Sequence, residues 1–180
     1  GPEILFVASI SPTVVMRLDL ATREVTQEIR RRASSLARYL RGGGQVLPVA
    51  GGWLAIGHEA VGFDDGARVY SHRWIWFDAG WRLRQISPSF YLRERGIEFV
   101  AGLAQDDHDL LLTFGVQDRE AWLGRLALAD VMRMLMPVDR LAAEGATQEM
   151  PETASGFTPV ISQPVIVATT LAGNAEADIG

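Results

Sequence analysis

A long series of short, β-favouring runs separated by turn residues constrains the fold more than any other feature. Consecutive runs meet at tight bends marked by Gly51-Gly52, Ala79-Gly80, Asp106-Asp107 and Gln117-Asp118. Short strands that recur every 8–12 residues or so are typical of an all-β protein, whether a sandwich, a barrel or a set of propeller blades. We predict antiparallel strands over 3–10, 13–19, 25–29, 45–49, 53–59, 68–78, 81–86, 97–104, 109–115 and 120–127.

The character of the chain changes after this β-rich region. Residues 129–136 have a helical pattern, so we place the end of the β domain at residue 136. The mixed Pro, Ala, Glu, Thr, Ser and Gly of 137–163 indicate a linker. Residues 164–180 read as a buried strand, a small-residue loop and the start of a helix, the opening of an α/β domain. Since the chain begins with Gly-Pro and ends within this unit, we expect it to be part of a longer protein.

Composition excludes several classes of function. With a net charge of −5, the chain is a poor candidate for a nucleic-acid-binding protein. It has no cysteine, which excludes disulfides, thiolate metal sites and cysteine nucleophiles, and no spacing typical of metal ligands occurs. Its apolar runs are shorter than the roughly 18–20 residues of a membrane helix, and no signal peptide is visible. We therefore expect no metal, no membrane partner and a cytoplasmic location.

A cluster of polar and glycine residues within 38–73 is the main functional candidate. Arg41 leads into Gly42, Gly43 and Gly44. Glycines allow close approach of the backbone, and an arginine beside them can bind an anionic or polyhydroxyl group. The alternative is a plain loop that enters a strand.

Two histidines follow this glycine segment. His58 ends an apolar run; its commoner role there is that of a hydrogen-bonded core residue, and Glu59 points to the opposite face of the strand. In the next strand Tyr70 and His72 share one face, whereas Arg73 lies on the other. The aromatic stripe on the Tyr70 face either packs on a neighbouring sheet or forms a platform for a sugar.

Glu98 lies inside the apolar run 97–104. A carboxylate in such surroundings is rarely buried without a partner. It is therefore either paired with an arginine or a general acid with a raised pKa.

Six motifs follow one another along the chain: Leu40–Gln45, His58-Glu59, Tyr70–Arg73, Ser87–Phe90, Ile97–Leu103 and Phe114–Ala121. Taken in this order, they resemble five-bladed β-propeller domains related to mannoside phosphorylases and their glycosidase relatives. The resemblance covers about residues 3–135 and matches the C-terminal half of such a domain. A glycine, Gly44, replaces the serine usual in the family's Arg-Gly-Gly-Ser pattern.

The resemblance implies a propeller with a sugar site at its central axis. Arg41, His58 and His72 would face that site, with Arg73 and Glu98 as further candidates. The family's general acid usually lies on N-terminal blades, which, by this resemblance, we expect to be absent from the sequence. The predicted substrate-binding set is Arg41, Gly42, Gly43, His58, Tyr70, His72 and Arg73, and Glu98 is a weak catalytic candidate.

Two functions remain open at the sequence level. One is a glycoside phosphorylase or hydrolase acting on mannoside-type oligosaccharides, with inorganic phosphate as a candidate co-substrate and no other cofactor. A surplus of basic side chains (Arg41, His58, His72, Arg73) over paired acids favours the phosphorylase. The other is a non-catalytic glycan-binding or interaction module. Residues 164–180 resemble the first strand and loop of a family-two type glycosyltransferase, which implies a bacterial glycan-assembly protein with both domains in one chain.

Overall fold

Three antiparallel sheets contain most of the residues that the computed structural model describes, which are 2–32, 34–64 and 66–140. The first sheet comprises β1 (Glu3–Ser9), β2 (Val14–Asp19) and β3 (Val25–Arg30). The second contains β4 (Arg41–Gly42), β5 (Leu47–Val49), β6 (Gly52–Gly62), β7 (Arg68–Asp78) and β8 (Leu83–Ile86). The third contains β9 (Glu98–Asp106), β10 (Asp109–Val116) and β11 (Glu120–Ala127). The prediction of an antiparallel, mostly β protein is confirmed.

The end of the β-rich region differs slightly from the predicted boundary. Helix α1 spans Leu128–Met134, and a two-residue strand, β12 (Met136–Pro137), then pairs with β8 of the second sheet. Pro137, predicted to begin the linker, thus belongs to a sheet. The rest of the predicted linker from residue 141, and the glycosyltransferase-like segment 164–180, lie outside the described residues.

Positive φ angles at the hairpin bends explain their sequences. In the β5–β6 turn, Ala50 and Gly51 have φ angles of 52° and 73°, and Val49 pairs with Gly52. Positive φ at both central residues matches the right-handed twist of the flanking strands. The turn therefore lies one residue earlier than the predicted Gly51-Gly52.

The second sheet lies between the other two, and both of its faces are covered. Side chains alternate along its strands. On one face Ile56 and Trp74 join a core with β9, β10, β11 and α1. On the other face Ile75 and Phe77 join a core with residues of the first sheet, including Val15. The predicted site residues of β6 and β7 are thus divided between two different interfaces.

The edge of the second sheet is interrupted at the glycine segment. Both β4 and β5 pair with β6, and residues 43–46 between them leave the ladder and approach β9. The side-chain oxygen of Gln45 accepts a hydrogen bond of 2.9 Å from the backbone N–H of Leu103. Arg41 therefore lies in a short strand rather than in the predicted loop, and the glycines that follow it join two sheets.

Candidate functional site

A single row of paired residues brings together three of the predicted site residues. Arg41 of β4 pairs with His58 of β6, and His58 pairs with His72 of β7. A β-bridge then joins His72 to Phe90. Directly opposite residues of an antiparallel pair project to the same face, so all four side chains lie on the face that meets the third sheet.

The row runs from solvent into the core. Arg41 is exposed, His58 is 7% exposed and His72 is completely buried. Only the Arg41 end of the row can therefore contact a ligand from solvent. His58 lies next to Arg41 and is nearly buried, and His72 lies deeper in the core.

Two aromatic rings flank His58 at the accessible end of the row. The ring centroid of Tyr70 lies 5.5 Å from that of His58, and the ring of Phe99 lies 5.3 Å away in an edge-on arrangement. Tyr70 is half-buried and Phe99 is 43% exposed. The result is a partly open apolar patch beside one arginine.

Both histidines of the row are poor bases in this environment. Burial, reinforced by the nearby Arg41, lowers the pKa of His58. Burial, reinforced by His58, lowers the pKa of His72 to about 3. Both rings are neutral at pH 7, so of these three side chains only Arg41 supplies positive charge.

His72 is also unusual in its hydrogen bonding. Within the described residues, neither of its ring nitrogens has a hydrogen-bond partner. Its Nδ1 lies 3.9 Å from the nearest carboxylate oxygen of Glu98, which is too long for a hydrogen bond. The packing of Phe90, with ring centroids 6.1 Å apart, holds the imidazole in place instead.

Glu98 is anchored by the backbone of a neighbouring loop. One carboxylate oxygen accepts a hydrogen bond of 2.7 Å from the N–H of Leu92, and the other accepts bonds of 2.7 and 2.8 Å from those of Arg93 and Glu94. The side chain is fully buried. Burial raises the pKa of Glu98, and the three amide donors oppose that effect. These bonds give the carboxylate a structural role that needs neither an arginine partner nor a substrate.

Arg73 lies on the opposite face of the second sheet. It pairs with Gly57 and donates a hydrogen bond of 3.0 Å to the backbone oxygen of Ser87. Burial lowers the pKa of Arg73, and Glu59, at a neighbouring position of the same face, opposes that effect. Alternation along β7 predicted this separation from His72, and Arg73 is therefore apart from the row.

The two predicted glycines differ in their surroundings. A Cβ atom at Gly43 would lie 2.3 Å from the backbone oxygen of Val100, whereas one at Gly42 would meet nothing within 4 Å. Gly43 therefore serves the contact between β9 and the edge of the second sheet. Gly42 is exposed and leaves space open beside Arg41.

Sequence reasoning did not identify Phe99 or the amides of 92–94 as parts of this site. For the first, the available signal was the alternation along β9, which puts Phe99 on the face opposite to that of Glu98 and Val100. The amides carry no side-chain signal, because any residue can supply a backbone N–H.

The described residues contain no group of His, Asp and Glu side chains arranged to hold a metal ion. No helix in this part of the chain is long and apolar enough to cross a membrane. No model of a known protein family matches the chain, and neither a curated protein nor a solved structure does so.

Proposed function

We propose that this chain is a carbohydrate-binding segment of a β-propeller that binds mannoside-type oligosaccharides at the patch around His58. Three successive antiparallel sheets, of which the middle one is extended by β12 and covered on both faces, support the propeller assignment, because consecutive blades pack face to face.

The observation that carries the proposal is the grouping of Arg41, Tyr70 and Phe99 around His58. Aromatic rings offer flat apolar surfaces to the C–H faces of a pyranose, and a few convergent polar groups fix its orientation. The exposed guanidinium of Arg41 supplies donors for sugar hydroxyls or an acidic substituent. This combination of partly exposed rings and one arginine suits a sugar better than it suits a purely apolar ligand.

The same geometry favours binding over catalysis by the described residues. Glu98 is fully buried, and both of its carboxylate oxygens already accept backbone hydrogen bonds. A general acid must reach the glycosidic oxygen that it protonates. A phosphate pocket built from His58 and His72 is also disfavoured, because both imidazoles are neutral at pH 7. In a longer protein the patch would present glycan to a glycosyltransferase domain of the same chain.

Titration calorimetry with manno-oligosaccharides tests the proposal. We expect Arg41→Ala and Phe99→Ala each to weaken binding about tenfold or more, the effect of losing about 1.4 kcal/mol of contact. Phe63→Ala and Arg68→Ala remove exposed side chains of the same types from the β6–β7 hairpin, and we expect them to bind like the parent. Parent-like affinity in both R41A and F99A would refute the site.

Turnover is measured in the same samples. Incubation with the oligosaccharide and inorganic phosphate should yield neither sugar phosphate nor free monosaccharide. Release of either product that Glu98→Gln abolishes, in a variant that still folds, would instead support the phosphorylase or hydrolase hypothesis.

A further inference from the structure

A concave region lies away from the histidine row, where the segment after β3 meets the β7–β8 turn. It forms an open cavity of about 690 Å³. The residues that line it include none of the row or of the aromatic patch. Five arginines line its walls: Arg31, Arg32, Arg38, Arg82 and Arg84.

The charge around this cavity is opposite to that of the whole chain. Asp139 is the one acidic residue that lines the cavity within the described part of the chain. Asp78, close by, forms an ion pair of 2.7 Å with Arg84 and so offsets one of the five positive charges. The cavity therefore keeps an excess of positive charge in a protein whose net charge is −5. A concentration of like charges is costly to the fold unless an anion offsets it.

Hydrogen bonds hold the arginine-rich segment against both neighbouring sheets. The backbone N–H of Arg31 donates to the oxygen of Thr13, and its Nε donates to that of Gly80, each over 2.8 Å. The N–H of Ser34 donates to the hydroxyl of Ser11 over 2.9 Å. The fold thus fixes the backbone of this segment and the side chain of Arg31.

Three of the arginines keep their N–H donors available. The guanidinium groups of Arg32, Arg38 and Arg82 are exposed, and none of them makes an ion pair or hydrogen bond within residues 2–32, 34–64 and 66–140. Arginine presents a planar set of N–H donors that matches the oxygens of a phosphate in pairs. The hydroxyl of Ser35, also at the cavity, adds a neutral donor.

We propose that this arginine cavity binds a small ligand that carries two phosphate groups. Arginines from two separate segments supply more positive charge than one phosphate requires. A volume of about 690 Å³ lies within the range of small-molecule sites, about 300–1,000 Å³. Its concave shape favours a compact ligand over the extended surface of a nucleic acid or a membrane. This site is separate from the proposed glycan patch and would add an anionic ligand to the protein's function.

Calorimetry of the full chain with inorganic pyrophosphate tests the site. The double variant Arg32→Gln/Arg82→Gln should weaken binding at least tenfold, and each single variant several-fold. Both side chains are exposed and free of structural bonds, so we expect parent-like thermal melting. The matched control, Arg68→Gln/Arg119→Gln, removes the same charge from exposed positions elsewhere and should change affinity less than twofold.

Three results would overturn the proposal. The first is the absence of binding heat at about 10 mM pyrophosphate, because a dissociation constant above that concentration is too weak for a specific site. The second is an equal loss of affinity in the control variant, which would indicate a general charge effect. The third is a protein that does not bind pyrophosphate but does bind anionic lipid vesicles or single-stranded RNA, and loses that binding in R32Q/R82Q. This result would assign the arginines to a macromolecular surface.

Discussion

At the scale of single residues, His72 shows how much the fold changes the chemistry of a side chain. Its imidazole is fully buried, lacks hydrogen-bond partners among the described residues and has a pKa near 3. The cost of keeping it uncharged is small at pH 7, where an exposed imidazole is also mostly neutral. That cost grows in acid, because the unfolded chain gains a proton that the folded protein cannot accept.

This difference makes stability depend on pH. The folded pKa of His72 is below that of the unfolded chain, so its contribution to stability is complete above about pH 6.5 and is lost as the pH falls towards 3. Between pH 6.5 and 4 we expect it to lower the free energy of unfolding by about 3 kcal/mol. Glu98 acts in the opposite sense: because its pKa is raised, its contribution to stability is complete below its ordinary pKa and is lost as the pH rises above that value.

Replacing His72 with Phe isolates that contribution. Between pH 6.5 and 4, we expect the free energy of unfolding of His72→Phe to fall by about 3 kcal/mol less than that of the parent. Urea unfolding at each pH measures the difference. His108→Phe removes a turn histidine that lies 3.6 Å from Asp107; both side chains are exposed, so solvent screens this pair and the variant should follow the parent curve. Parallel curves for H72F and the parent would show that burial of His72 does not control the pH dependence.

At the scale of elements, the glycine segment between β4 and β5 is a junction between sheets. A Cβ atom at Gly43 would overlap the backbone oxygen of Val100, at 2.3 Å, and backbone cannot move aside as a side chain can. We expect Gly43→Ala to lower the free energy of unfolding by about 1–3 kcal/mol. Chemical denaturation measures this change.

Gly42 provides a neighbouring control. An added Cβ atom there meets nothing within 4 Å, so Gly42→Ala should change stability by no more than about 0.5 kcal/mol. Equal effects of the two substitutions would mean that Gly43 is needed for chain flexibility rather than for the contact with β9.

The strands themselves were largely predictable from the sequence, but not every pairing between them was. Alternating side chains and turn residues identified β6 and β7, and the same alternation separated His72 from Arg73. The strand β4 has only two residues, one of them glycine, so no local pattern could reveal that Arg41 pairs with His58. The hydrogen bonds to Glu98 come from backbone amides of a loop, and the sequence pattern does not indicate the conformation of that loop.

At the scale of the whole molecule, the second sheet links two hydrophobic cores. Ile56 belongs to the core shared with the third sheet, and Ile75 belongs to the one shared with the first. They lie on neighbouring strands of one sheet, facing opposite ways. Loss of either core should therefore weaken the sheet on which the other depends.

We expect cooperative unfolding as a consequence. Ile56→Ala and Ile75→Ala should each lower stability by about 2–5 kcal/mol and still give a single transition. The transitions followed by tryptophan fluorescence and by far-ultraviolet circular dichroism should coincide. Separate transitions in either variant would show that the two cores fold independently.

The β6–β7 hairpin has two ends in very different surroundings. Each strand has 11 residues, but β8 pairs only with the part of β7 from Ile75 to Phe77. Near the far end, residues 60–64 are exposed. Amide protons at that end can exchange with solvent through local opening, whereas those between Trp53 and Ile56 require disruption of the cores. One continuous hairpin therefore combines a slowly exchanging anchor with a tip that opens by itself.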